Sequence, residues 1–319
     1  MARPERILDV NRRYHDAVAG EYDSKWGIGF GDVGRDQVLG KVGKLLGARP
    51  GPYGRALEVG AGTGYFSLNM MAAGVIGEAV CTDVSPGMLV ALELNAEELG
   101  LEVGTVACDA SELPFPDDSF DLVIGHAVLH HLPDVEHSFR EFARVLRPGG
   151  TLFFAGEPSL YGDRVSSIPK RVAWRLSPLW RRAVGARPAG AAGNGAAHGN
   201  RNGDGDGDGD GKADGHELEP EVDVHAFTPG ALAGAARAAG LEQVRVRGEE
   251  LLASWFGWFN RTLEASAEQS DIPWAWIRYA YNGYLGLQRV DRALLEPRLP
   301  PAIFYNLMIS ARKPPLTER

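Results

Sequence analysis

The residues able to do chemistry concentrate between Glu58 and His126. Leu57-Glu58-Val59-Gly60-Ala61-Gly62-Thr63-Gly64-Tyr65-Phe66 reads as a strand that runs into a glycine turn and then a helix. Gly60, Gly62 and Gly64 let a ligand approach the backbone, because a Cβ there clashes or demands an unfavourable φ, and the helix that follows offers free N–H groups at its start. A dinucleotide-binding turn carries glycine at its first, third and sixth positions; the sixth here is Tyr65, which disfavours a nicotinamide or flavin dinucleotide. The second element is Cys81-Thr82-Asp83-Val84-Ser85. A carboxylate at the carboxyl edge of the neighbouring strand can accept both ribose hydroxyls of a nucleoside lying across the crevice. Asp83 could equally cap the helix that begins near Pro86, a task open to Ser85 as well, and both readings stand at this point.

These residues need a scaffold, and the hydrophobic pattern supplies one. Two leading helices are expected over residues 6–21 and 32–46. Short runs rich in Val, Ile and Phe then alternate with helical stretches: 55–59 and 65–73, 79–82 and 86–99, 103–107, 120–125 and 135–146, 151–155. Such alternation means parallel strands joined by right-handed crossover helices that cover both sheet faces, an open doubly wound α/β sheet. A helix over 164–184, broken near Pro178, follows. The pattern resumes with a helix at 229–239 capped by Thr228, a strand at 243–247 and a last strand at 302–311. Residues 249–299, rich in Trp, Tyr, Phe and Leu, are long enough for two or three helices and read as a cap.

A third element moves the balance: Ala107-Cys108-Asp109-Ala110-Ser111-Glu112-Leu113-Pro114-Phe115-Pro116-Asp117-Asp118-Ser119-Phe120-Asp121-Leu122-Val123, followed by His130-His131-Leu132-Pro133-Asp134 and Leu146-Arg147-Pro148-Gly149-Gly150. With the glycine turn and the acid after the second strand, these segments stand in the order found in the class I S-adenosylmethionine-dependent methyltransferases, and the chain resembles their ubiquinone/menaquinone-type, small-molecule branch over about residues 56–156. The resemblance implies a Rossmann-like fold, mostly parallel with an antiparallel last strand and with helical cap insertions. It implies S-adenosylmethionine as cofactor and methyl transfer by in-line displacement to a small or lipophilic acceptor. Position by position, Glu58 and the loop Gly60, Ala61, Gly62 and Gly64 would hold the methionine end, and Asp83 with Val84 the ribose. Asp109 would face the adenine amino group with the Ala110 N–H on a ring nitrogen, and His126 would lie near the sulfonium through its backbone. Tyr14, Tyr22 and Trp26 could close the pocket or simply pack the leading helix. His130 and His131 are the catalytic candidates, although in the resembling family this dipeptide usually serves the turn and the docking of a helix. His126, Glu157 and Tyr161 complete the inventory of possible bases, and no metal cluster is required.

Composition bounds the alternatives. A chain of 319 residues, 44% hydrophobic, can bury a large core and a smaller appended unit. Its polar N-terminus and lack of a long apolar run imply a cytoplasmic protein. Net charge is −9, which argues against nucleic acid as a partner. The acids cluster in the Gly-Asp run upstream of His225, whereas Arg164, Lys170, Arg171, Arg175, Arg181, Arg182 and Arg187, interleaved with Trp174 and Trp180, make a basic stretch. That stretch reads as a lid helix over a lipid-like acceptor or as a weak contact with an anionic membrane surface. Asp206 to Glu217 has the spacing of a calcium loop, yet its Gly, Ala and Asn flanks favour a solvated linker, dispensable for turnover. Cys81 and Cys108 read as small strand hydrophobes rather than a disulfide. The expected organisation is 1–50 as pocket-closing helices, 51–157 as the cofactor-binding core, 158–227 as an insertion, 228–248 as a core helix and strand, 249–300 as a substrate cap and 301–319 as the last strand and tail. An NAD(P)-dependent oxidoreductase and a non-catalytic, S-adenosylmethionine-binding regulatory module are the alternative functions.

Overall fold

The computed structural model describes residues 4–23, 28–47, 50–189 and 225–316. They fall into two compact units, one drawn from Met1–Pro158, Glu221–Arg247 and Leu307–Arg319, the other from Ser159–Pro220 and Gly248–Asn306.

The first unit is built on a sheet of seven strands: β1 (Tyr53–Val59), β2 (Ile76–Asp83), β3 (Gly104–Ala107), β4 (Phe120–His126), β5 (Leu146–Pro158), β6 (Glu242–Glu249) and β7 (Asn306–Arg312). Their order is β3-β2-β1-β4-β5-β7-β6. The first five pair in parallel. The N–H of Gly149 and the carbonyl of Gly150 both bond Lys313, just past the end of β7, whereas the N–H of Ser159, past the end of β5, bonds the carbonyl of Tyr305 ahead of β7. The start of one strand thus meets the end of the other, so β7 runs antiparallel. Between β1 and β4 the strand order reverses, which opens a crevice at the carboxyl edge.

Strand side chains alternate between two buried clusters, as a period of two requires. Leu57, Val123, Leu152 and Phe154 join one cluster with Phe139, Phe142 and Val145 of α5 (Val135–Val145) and Leu232 and Ala236 of α7 (Pro229–Ala238). Ala56, Leu122, Ile124 and Phe153 join the other with Val38 and Val42 of α2 (Asp32–Leu46) and Phe66 and Met70 of α3 (Tyr65–Ala72). The remaining helices of this unit are α1 (Pro4–Val18) and α4 (Pro86–Glu98). Cys81 is buried and Cys108 half-buried, both as free thiols.

The second unit is helical: α6 (Leu160–Val184), α8 (Leu252–Ala265) and α9 (Trp274–Val290). Ala173, Trp180, Leu263 and Ile272 form its core, with Phe259 and Trp276 packed against it. Fully buried Asp291 accepts the N–H groups of Leu252 and Ala253. It thereby caps α8, whose own N-cap residue, Leu251, has no side-chain acceptor.

Two expectations are corrected here. The helix expected to break near Pro178 runs unbroken to Val184. Proline removes the N–H that would bond the Trp174 carbonyl, and the Ser177 hydroxyl donates to that carbonyl instead at 2.9 Å. The last strand starts at Asn306, not at 302, because Pro301–Ile303 make a 3₁₀ turn in which proline fixes φ. The apolar Phe304, read as a strand residue, is instead fully buried beside Gly248.

Candidate functional site

The glycine turn leaves β1 at the crevice and enters α3. Gly60, Gly62 and Gly64 all have φ between 51° and 89°, the left-handed region. Their surroundings differ. A Cβ on Gly60 would stand 2.2 Å from Cγ2 of Val128, and one on Gly64 2.8 Å from Cδ1 of Leu68, whereas one on Gly62 would meet none of the described residues within 4 Å. The outer two glycines permit packing, and the middle one faces open space at the sheet edge.

Asp83 ends β2 beside this turn and is buried. Its Oδ2 accepts the Gly62 N–H at 2.9 Å and its Oδ1 the Ser85 N–H at 2.9 Å. Burial raises its carboxyl above the ordinary range, while His15 and the N–H donors of Ser85, Gly62 and Val84 oppose the rise. Ser85 is the cap of α4, accepting the Met88 N–H at 3.1 Å, so the capping alternative for Asp83 falls away. Val84 is half-buried next to it.

Glu58 lies one residue inside β1, and its Oε2 accepts the Ser67 N–H in the first turn of α3. Its carboxyl is pushed up to about 7, chiefly by burial. Glu58 thus ties strand to helix across the glycine turn. Asp109 follows β3; its Oδ1 accepts the Ser111 N–H at 2.8 Å, fixing the turn that carries Ala110. His126 closes β4 with its ring stacked on Phe66 at 4.8 Å and edge-on to Tyr65 at 5.5 Å, which leaves its backbone at the carboxyl edge. Ala127 follows with φ of 54°, a costly conformation held by its N–H bond to the Ala155 carbonyl.

His130 and His131 sit in a 3₁₀ turn, Leu129–His131, organised by Glu157 at the end of β5. This fully buried carboxylate accepts the N–H groups of Val128, Leu129 and His130, and its Oε2 lies 2.9 Å from Nδ1 of His130. Glu157 was a candidate base in the sequence; its geometry makes it the anchor of the turn. The two imidazoles lie 3.9 Å apart, and His131 meets His15 edge-on at 5.6 Å. His15 also contacts Tyr14 and Tyr22. Of the three aromatics named for pocket closure, Tyr14 is buried, Tyr22 half-buried, and Trp26 lies outside the described residues. Tyr161 belongs to the second unit and is exposed.

Sequence reasoning missed the polar contacts of the leading segment. Asp16 accepts the Ser85 hydroxyl and the Gly87 N–H, fastening α1 to the start of α4. Asp23 accepts the Thr63 hydroxyl within the glycine turn and the Asn95 amide. No local pattern marks these acids, because their partners lie 40 to 72 residues away. The calcium-like spacing Asp206 to Glu217, and the whole Gly-Asp run, lie outside the described residues. Among the described residues, no group of three or more His, Cys, Asp or Glu could hold a metal ion, and no helix is long and apolar enough to cross a membrane.

A doubly wound sheet with a glycine turn after β1 and acids after β2 and β3 defines a class. Residues 57–154 match the family described as methyltransferase domain. That segment is similar to the class I S-adenosylmethionine-dependent methyltransferases, whose cofactor is S-adenosylmethionine. It is 36% identical over 166 residues to the malonyl-[acyl-carrier protein] O-methyltransferase of Methylococcus capsulatus, covering 48% of this chain and 57% of that one. It is 29% identical over 189 residues to the ubiquinone/menaquinone biosynthesis C-methyltransferase of Vibrio vulnificus, covering 56% and 68%. In fold it is similar to the chain solved in complex with the Haloferax volcanii Trm112 methyltransferase activator, with a TM-score of 0.52 and 19% identity over 94% of this chain and 97% of that one. The chain spans about half the length of several curated relatives it matches.

Proposed function

We propose that this protein transfers a methyl group from S-adenosylmethionine to a small or lipophilic acceptor. The observation that carries the reading is the pairing of Asp83, each oxygen holding one backbone N–H at the crevice, with the open space over Gly62. A carboxylate has lone pairs beyond these two bonds, enough to accept a ribose diol, and a Cβ on Gly62 would fill the cradle. Bound there, S-adenosylmethionine supplies a methyl on a sulfonium, an activated leaving group. The loop Gly60 to Gly64 holds the methionine end, with Glu58 fixing the loop to α3. Asp83 and Val84 take the ribose, Asp109 and Ala110 the adenine, and the His126 backbone the sulfonium side. His130, held by Glu157, and His131 stand as the groups able to take a proton from an acidic acceptor. Residues 249–300, with Trp258, Phe259 and Trp276, serve acceptor recognition as a helical substrate cap. A small-molecule acceptor is in keeping with the C-methyltransferase of quinone biosynthesis among the relatives.

Calorimetric titration tests this directly. S-adenosylmethionine is expected to bind with one site per chain and NAD not at all; the reverse result overturns the proposal. Asp83→Ala is expected to weaken S-adenosylmethionine binding by about 1.5–3 kcal/mol, the range for hydrogen bonds to a charged group. An affinity equal to the parent's removes Asp83 from the ribose site. Glu157→Gln should cost about 1–3 kcal/mol of folding stability, because its amide cannot accept from all the buried N–H groups of the turn. Equal urea midpoints for variant and parent would show that Glu157 is not the anchor.

A further inference from the structure

The exposed side of α6 carries two parallel stripes. Tyr161, Ile168, Val172, Leu176 and Leu179 are spaced by seven, four, four and three residues. At about 100° per residue these positions fall on one narrow face. Each is exposed, Ile168 by 58% and Leu179 by 68%. Arg164, Arg171, Arg175 and Arg182, spaced by seven, four and seven residues, fall on a second face directly beside it, and all four are exposed. The opposite face is the buried one, with Gly162, Ser166, Ala173, Ser177 and Trp180. The helix is therefore amphipathic twice over: one side serves the core of its unit, and the other presents apolar residues edged with arginine. The two tryptophans of the basic stretch divide accordingly, Trp180 packing against Trp276 at 5.1 Å while Trp174 remains 44% exposed.

We propose that this face of α6 docks in the plane of an anionic lipid surface. The charge argues for lipid. Within a chain of net charge −9, α6 carries Arg164, Lys170, Arg171, Arg175, Arg181 and Arg182 against the single acid Asp163. An apolar stripe bordered by cations suits a surface whose hydrocarbon lies just beneath anionic headgroups, where each arginine adds attraction and each apolar side chain adds buried area. A second copy of the chain is a poorer occupant, because an antiparallel two-fold contact along the stripe would bring the arginine rows of both copies together. At 25 residues and with this many charges, α6 lies on the membrane rather than across it.

The test is flotation of the full chain with vesicles of phosphatidylcholine alone or mixed with phosphatidylglycerol, without cofactor or acceptor. The expected result is recovery with the anionic vesicles at low salt, release at high salt and no recovery with phosphatidylcholine alone. Arg171→Gln/Arg175→Gln should lower partitioning about 25-fold, taking each arginine as worth about fivefold. Val172→Asp/Leu179→Asp should abolish it. All four residues are exposed, so both variants should keep the parent's melting temperature, which confirms that the fold survives. Failure to float with anionic vesicles at low salt overturns the proposal, as does equal recovery by the arginine variant. A dimer in light scattering that Leu179→Asp dissolves would instead assign the stripe to a second copy and also overturn it. Because the readout needs neither cofactor nor turnover, a chain that binds S-adenosylmethionine yet ignores the vesicles refutes the docking surface alone.

Discussion

Gly62→Val is expected to abolish S-adenosylmethionine binding with little further loss of stability, and Gly60→Val to destabilise the fold by about 2–5 kcal/mol. Both glycines occupy left-handed backbone, so either substitution carries about 1–2 kcal/mol of conformational cost. What separates them is space. A Cβ on Gly60 falls within 2.2 Å of Val128, whose N–H is held by the buried carboxylate of Glu157, so the neighbour cannot yield. Overpacking a fixed site adds about 1–3 kcal/mol, giving about 2–5 kcal/mol in total. A Cβ on Gly62 would meet none of the described residues within 4 Å, and the new side chain occupies only the volume proposed for the ligand. Urea unfolding and calorimetry on both variants check the contrast. A Gly62→Val protein that binds the cofactor as the parent does would move the cradle away from this turn.

What the sequence made legible follows from the range of the interactions involved. The parallel core was readable because β1, β2, β4 and β5 alternate between two buried faces and two of the crossover helices carry side-chain caps: Ser85 caps α4, and Asp134 caps α5 through the His137 N–H. These are local signals, within four residues. The glycine turn was legible for the same reason, since left-handed backbone demands glycine wherever the rest of the chain lies. Glu157 was visible as an acid but not as an anchor, because its partners Val128, Leu129 and His130 are 27 to 29 residues distant. Asp16 and Asp23 were lost in the same way. Pro178 misled because proline's missing N–H is a local fact, while its repair by the Ser177 hydroxyl depends on a rotamer. The exposed stripe of α6 was half-visible: the sequence shows its arginines and tryptophans, but only the burial of the opposite face tells which residues are left outside.

Glu58→Gln is expected to flatten the pH dependence of stability between about pH 4.5 and 7. The Glu58 carboxyl is raised from 4.5 to about 7, first by burial, against the opposing Ser67 hydrogen bonds. In that window the folded protein holds a proton that the unfolded chain has released, so stability falls as pH rises. Above about 7 the buried group is charged in both states, and the whole desolvation cost bears on the fold. A rise of this size corresponds to about 3 kcal/mol, at 1.36 kcal/mol per unit. Glutamine keeps an oxygen for the Ser67 N–H but cannot ionise, so the variant should match the parent near pH 5 and exceed it by up to about 3 kcal/mol above pH 7. Asp83 is raised in the same direction and contributes its own slope to both proteins, so the difference between the two profiles, rather than either alone, isolates Glu58. Urea midpoints measured across the window give that difference. Parallel profiles would mean that Glu58 keeps an ordinary carboxyl despite its burial, and that its charge is matched by the first turn of α3, where N–H groups and the helix dipole favour an anion.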